Sequence, residues 1–138
     1  MEGWNMGLFG GTPKVEKIIE KYKKGKTGIE DFAKQMTDIT VYSASPVGED
    51  KDGNRQLYLL PDKDGVLCQP VFTSKEKGEK YFASVGRVNC QLLEGPLIVV
   101  VRTMRRMNEK HNNKAFGIIV DPLEADIWIP NEVIETMK

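Results

Sequence analysis

Residues 57–74 read Leu57-Tyr58-Leu59-Leu60-Pro61-Asp62-Lys63-Asp64-Gly65-Val66-Leu67-Cys68-Gln69-Pro70-Val71-Phe72-Thr73-Ser74. Two apolar runs, Leu57–Leu60 and Val66–Val71, flank Asp62–Gly65, and short acidic side chains followed by glycine are the chemistry of a tight reversal. The stretch therefore predicts a β-hairpin. Pro61 and Pro70 lack an amide proton, which confines these strands to their ends or to a sheet edge. Past Phe72 the polarity changes: Thr73 is followed three residues later by Glu76, the pattern of a capping box, and Tyr81 and Phe82 give the ensuing helix an apolar face. A hairpin that runs directly into a capped helix is an α+β signal.

Toward the N-terminus the spacing is helical. Thr12-Pro13 suits a helix start, with the hydroxyl as cap and proline in the first turn, and Val15, Ile18, Ile19 and Tyr22 recur along one side until Gly25. Thr27 and Glu30 form a second capping-box pair, after which Ile29, Phe32, Ala33 and Met36 share a face. From Ile39 the period becomes two, with Ile39, Val41 and Ser43 alternating against Thr40 and Tyr42, so a strand is expected. Ser45–Asn54 collects proline, glycine and acidic residues into an expected mobile loop.

Toward the C-terminus, Val88–Leu93 predicts a short strand. Leu97–Lys110 carries conflicting signals: its β-branched residues suit a strand, whereas Leu97, Val100, Val101 and Met104 fall at helical spacing. Helix is preferred, because Gly95-Pro96 suits a first turn and basic residues gather toward the end. Strands at Phe116–Val120 and Asp126–Ile129, joined by a turn at Asp121-Pro122, and a short helix over Asn131–Met137 with an asparagine cap complete the chain. The expectation is one α+β domain: a mixed, mostly antiparallel sheet of about five strands with helices packed on it, preceded by a helical hairpin. Residues 1–11 form an arm, residues 12–38 the hairpin and residues 39–138 the core.

With 138 residues, 20 basic and 20 acidic side chains and 40% hydrophobic residues, the chain matches one compact domain with no net field to recruit nucleic acid or membrane. Cys68 and Cys90 lie in different segments without a Cys-x-x-Cys spacing, and reduced, buried thiols are expected. The first residues lack the basic start and long apolar core of a secretory signal, and the longest apolar run, Leu97–Val101, falls far short of the roughly twenty residues that span a bilayer. A cytoplasmic protein without membrane insertion is expected.

The run Leu57–Pro61, the turn Asp64-Gly65 and above all Pro70-Val71-Phe72-Thr73-Ser74 resemble the N-terminal domain of the SseB-like family, in which a strand delivers a Pro-Val-Phe-Thr-Ser element that starts a helix. Gly117–Pro122 and Trp128-Ile129-Pro130 look like that family's closing pair of strands. The resemblance covers roughly residues 41–130. It implies a bacterial interaction module, because the family is associated with secretion-linked or stress-linked proteins and no catalytic residues are established for it.

Residue chemistry points the same way. His111 is the only histidine and lies in a polar run, so it cannot furnish both a base and a metal triad. Asp62, Lys63 and Asp64 resemble the start of a calcium loop but lack its glycine and distal glutamate, and Glu49, Asp50 and Asp52 read as a solvated loop. No catalytic residue, metal or cofactor is expected. Thr73 and Ser74 have a structural reading as the end of a strand and the start of a helix; the alternative is that they hold an anion or peptide carboxylate, with Arg87 or Arg102 as counter-charge and an enzymatic role in reach. The lysines Lys17, Lys21 and Lys24, with Arg105 and Arg106, make a candidate partner surface for an acidic protein; without an aromatic platform they are a poor fit for nucleic acid. Trp4, Leu8 and Phe9 either pack back on the domain or dock on a partner. The acidic segment Asp121–Lys138 against the basic first helix leaves the chain polar end to end, which suits either pairing between copies or a solvated surface.

Overall fold

A computed structural model describes residues 14–44, 48–49, 55–56, 58–87, 91–110 and 116–137, with 48–49, 55–56 and 110 described by backbone alone. The order is α1 (Lys14–Lys23), α2 (Ile29–Met36), β1 (Thr40–Ala44), β2 (Gly48–Glu49), β3 (Arg55–Gln56), β4 (Leu60–Pro61), β5 (Leu67–Val71), α3 (Lys75–Ser84), β6 (Leu92–Pro96), α4 (Leu97–Lys110), β7 (Gly117–Val120), β8 (Ile127–Ile129) and α5 (Asn131–Ile134). This is the expected α+β architecture with an N-terminal helix pair. The arm residues Trp4, Leu8 and Phe9, the cap pair Thr12-Pro13, most of Ser45–Asn54, and Leu57, Cys90 and His111 lie outside the described residues.

Strands β4, β5, β7 and β8 form one sheet in that order, antiparallel except for the parallel pair β5 and β7. β1 and β6 form an antiparallel pair. The two units are joined at Phe72, immediately after β5: the Tyr42 amide donates to the Phe72 carbonyl and the Phe72 amide to the Tyr42 carbonyl, both at 2.8 Å. β4 and β1 therefore share one edge of β5. Val71 offers its carbonyl to the Asp121 amide on the β7 side, so Pro70 and Phe72, one position either way, face the opposite edge. β4 pairs only with Leu67 and Cys68, and β1 begins pairing at Phe72. Pro70 thus occupies the gap between two short neighbours, and its missing donor costs nothing. A proline expected at a strand end or sheet edge sits instead inside a strand, at a break in the neighbouring edge.

Val71 and Phe72 point to opposite faces. Val71, Ile118, Val120, Ile127 and Ile129 bury against α1, α2, α4 and α5, in a core that includes Phe32, Met36, Leu97, Met104 and Ile134. Phe72 and Ala44 bury against Tyr81 and Phe82 of α3, with Tyr58 and Leu92 at the margin. Leu97, Val101 and Met104 have no exposed surface, and Leu97–Lys110 is a helix: spacings of four and three residues place them on one helical face, whereas a strand would split them across two.

Several boundaries differ from the expectation. α2 has Gly28 as its N-cap, with no side-chain cap bond, so Thr27 and Glu30 form no capping box. α3 is capped by Ser74, whose hydroxyl accepts from the Lys77 amide at 3.2 Å, rather than by Thr73 with Glu76. α5 is shorter than expected and follows Pro130, and Asn131 sits inside it rather than at the cap. Within Ser45–Asn54, expected as a loop, Gly48 and Glu49 pair with Gln56 and Arg55 as a short antiparallel ladder. Of the strand expected over Val88–Leu93, residues 88–90 lie outside the described residues; the strand described is Leu92–Pro96, which Pro96 ends. The hairpin turn is as expected: the Asp62 carboxylate accepts from the amides of Asp64 and Val66 at 2.8 and 2.9 Å, and Gly65 takes φ 82°.

Close packing at β7 explains a glycine that no turn requires. A Cβ on Gly117 would lie 2.8 Å from the Ile129 carbonyl oxygen and 3.0 Å from Cys68 Sγ, whereas one on Gly95 would meet nothing within 4 Å. Because the nearer obstacle is backbone of the adjacent strand, Gly117→Ala is expected to lower unfolding free energy by about 1–3 kcal/mol, while Gly95→Ala changes it by less than about 0.5 kcal/mol. Urea denaturation of both variants checks the contrast.

Candidate functional site

The end of β5 and the start of α3 carry the Pro-Val-Phe-Thr-Ser element, and the side chain that organises it comes from elsewhere. Asp121 follows β7 directly and its side chain has no exposed surface. Its Oδ1 accepts from the Thr73 amide at 2.8 Å and its Oδ2 from the Thr73 hydroxyl at 2.7 Å. Lys77, one turn into α3, closes the arrangement, its Nζ lying 3.4 Å from Asp121 Oδ2 and 3.2 Å from Thr73 Oγ1. Ser74 spends its hydroxyl on capping. A buried carboxylate is tolerable only when donors replace its lost water, and here an amide, a hydroxyl and an ammonium do so.

Asp121 can take this position because its backbone is left-handed, with φ 48°, a conformation aspartate adopts more readily than most residues. Its amide extends the ladder to Val71 and its carbonyl accepts from Glu124 and Asp126 at 3.1 and 2.9 Å. Leu123 and Asp126 also have positive φ, 72° and 53°. The turn expected at Asp121-Pro122 is thus present, but the role of Asp121 within it was not legible in the sequence. The available signal was an apolar strand, buried on both faces, that ends in a carboxylate.

The Thr73 amide and hydroxyl are thus taken by the chain's own carboxylate, and the Ser74 hydroxyl by the cap of α3. Arg87 packs its guanidinium over the rings of Tyr58 and Phe82, at 5.2 and 5.7 Å from their centroids, in an aromatic cluster where Tyr58 and Tyr81 share a hydroxyl contact of 3.3 Å. Burial foremost, then the contact with Tyr58, pushes the Tyr81 hydroxyl above its ordinary value. Arg102 lies exposed on α4. Neither arginine hydrogen-bonds or ion-pairs with Thr73 or Ser74 among the described residues.

Of the candidate partner surface, Lys17 and Lys21 are exposed on α1 and Lys24 just past its end, with Lys24 3.6 Å from Glu20. Arg106 is exposed, whereas Arg105 is tied down: its guanidinium donates to the Met137 carbonyl at 3.0 Å and lies 3.9 Å from Glu135. A groove of about 390 Å³ lies between α2 and the C-terminal segment, lined by Glu30, Asp31, Lys34, Thr37, Thr136 and Met137. Among the described residues no group of three or more His, Cys, Asp or Glu is placed to hold a metal ion, and no helix is long and apolar enough to cross a membrane. No family model, curated protein or solved structure matches the chain.

Two predictions come from this geometry. Asp121→Ala strands the Thr73 donors and leaves Lys77 without its carboxylate, so unfolding free energy is expected to fall by about 2–4 kcal/mol. Thr73→Val keeps the amide contact and should cost about half as much, with a double-mutant cycle giving a coupling of at least about 1 kcal/mol between the two positions. Cys68 is buried and free, and burial, reinforced by the Asp62 charge, raises its thiol from 9.0 to about 11. Between those values the folded chain holds a proton the unfolded chain has released, so this contribution is complete below pH 9 and lost as pH rises to about 11. Stability should fall by about 1 kcal/mol more from pH 8 to pH 10 in the wild type than in Cys68→Ala, as read by denaturation at the two pH values.

Proposed function

We propose that the chain is a non-catalytic protein-interaction module of the SseB-like kind, acting in the bacterial cytoplasm without a cofactor. The observation that carries this reading is the Asp121 carboxylate seated at Thr73. In the element that bears the family resemblance, the amide, both hydroxyls and the nearest ammonium are engaged in holding β5, β7 and α3 together. The resemblance then describes a shared scaffold, and recognition falls to the surface around it.

The lysines of α1 are the main candidate contact for a heterologous partner. Lys17 and Lys21 project from a helix whose other side buries Ile18, and Lys24 follows its last turn, so all three can meet a partner at no cost to packing. A partner with an acidic face would be steered to them. The test is affinity purification of the tagged full chain from its host, beside the variant Lys17→Glu/Lys21→Glu/Lys24→Glu. A stoichiometric protein partner retained by the wild type and reduced at least tenfold in the variant, with unchanged thermal unfolding, is the expected result. Recovery of a tightly held phosphate or metabolite, lost on Thr73→Val substitution, would overturn it in favour of a ligand-binding or enzymatic role.

A further inference from the structure

Two of the exposed large apolar residues, Val99 and Leu123, each sit among unpaired charges of one sign. Leu123 is 76% exposed and has φ 72°. A leucine there is unfavourable twice, once in the left-handed backbone and once in water, and glycine would avoid both. Beside it, Glu124 and Asp126 are exposed and form no ion pair among the described residues. On α4, Val99 is 50% exposed. Arg102 and Arg106 follow it at the spacing that places all three on one stripe, and neither arginine has an ion-pair partner among the described residues. One patch is apolar with carboxylates, the other apolar with guanidiniums, on a chain whose 20 basic and 20 acidic residues cancel overall.

We propose that these patches are the two halves of one self-complementary contact: the Leu123 turn of one copy docks on the Val99–Arg102–Arg106 stripe of a second copy of this chain. Leu123 packs against Val99, and Glu124 and Asp126 face the two arginines. In a two-fold pair the contact is made twice; in a head-to-tail arrangement each copy uses one patch at each end. The occupant is a second copy because the chain itself carries the charge complement each patch lacks. This goes beyond the α1-centred reading above and does not depend on it, since a chain that stays monomeric can still bind a heterologous partner through its lysines.

Sedimentation velocity of the full chain tests it. The wild type is expected to associate at about 20 mM salt and to dissociate toward monomer at about 0.5 M. The variants Arg102→Glu/Arg106→Glu and Glu124→Lys/Asp126→Lys each place like charges in contact, so each alone should associate at least tenfold more weakly. Mixed in equal amounts they restore both complements, and association should return. Leu123→Gly relieves the left-handed backbone, so it should keep or raise the thermal midpoint while weakening association at least tenfold. A wild type that is monomeric at about 0.5 mM protein and low salt overturns the proposal, as does a Leu123→Gly protein that associates like the wild type or a mixture of the charge variants that fails to associate.

Discussion

The carboxylate of Asp121, with no surface of its own in water, binds the backbone and side chain of Thr73 across 48 residues of sequence. Most of the core depends on where that contact sets the chain. It fixes the point at which β5 ends and α3 begins, and with the Asp121 amide on Val71 it carries the parallel register of β5 and β7 to its last residue. Once Val71 is held toward β7, Phe72 must turn to the other edge and the other face, where it bonds Tyr42 and packs on Tyr81 and Phe82. One buried charge thus sets the boundary between the two apolar clusters. An apolar residue at 121 could fill the same volume but could not choose between Thr73 and its neighbours, because dispersion has no direction.

What the sequence made legible was the content of the elements rather than their closure. The helical spacing of Phe32, Ala33 and Met36, the Asp62–Gly65 turn and the apolar stripe of α4 each depend on residues within a few positions of one another, and each forms as that local chemistry dictates. The caps were misread for a specific reason. Thr73-x-x-Glu76 satisfies the local pattern of a capping box, but a carboxylate 48 positions away is a stronger partner for Thr73, so the capping role passes to Ser74. The parallel pairing of β5 and β7 was hidden in the same way. It requires a crossover through α3, β6 and α4, and no spacing within either strand records it. The rule that places proline at sheet edges holds for Pro70, although the edge in question is the gap between β4, which pairs as far as Cys68, and β1, which begins at Phe72.

The element that carries the family resemblance is therefore occupied with structure, which bears on where recognition can lie. A helix start attracts anions because its first amides lack partners. Here the chain sets a carboxylate of its own just before that start, on the Thr73 amide and hydroxyl, from a position that also terminates a strand. Arg87, the other cation considered for that site, lies flat on Tyr58 and Phe82, an arrangement that extends the α3 cluster outward by covering its aromatic rim with an alkyl and guanidinium surface. Charge that is free to meet another molecule is found instead on α1 and on the outer stripe of α4.

The Asp121 turn also ties the fold's main constraint to its most exposed leucine. For Asp121 to bury its carboxylate at Thr73 while its carbonyl accepts from Glu124 and Asp126, the chain must reverse within a few residues, and positive φ at Asp121, Leu123 and Asp126 is how it does so. That accounts for the backbone but not for the side chain. Asparagine or glycine at position 123 would meet the same dihedral demand at lower energy, and both would avoid exposing an isobutyl group. Nothing among the described residues explains the choice of leucine, and the two carboxylates that follow it, Glu124 and Asp126, form no ion pair there. A residue that costs energy in the isolated fold, held rigidly by the contact on which the core depends, is a preorganised anchor, since it enters a contact with little conformational freedom left to lose.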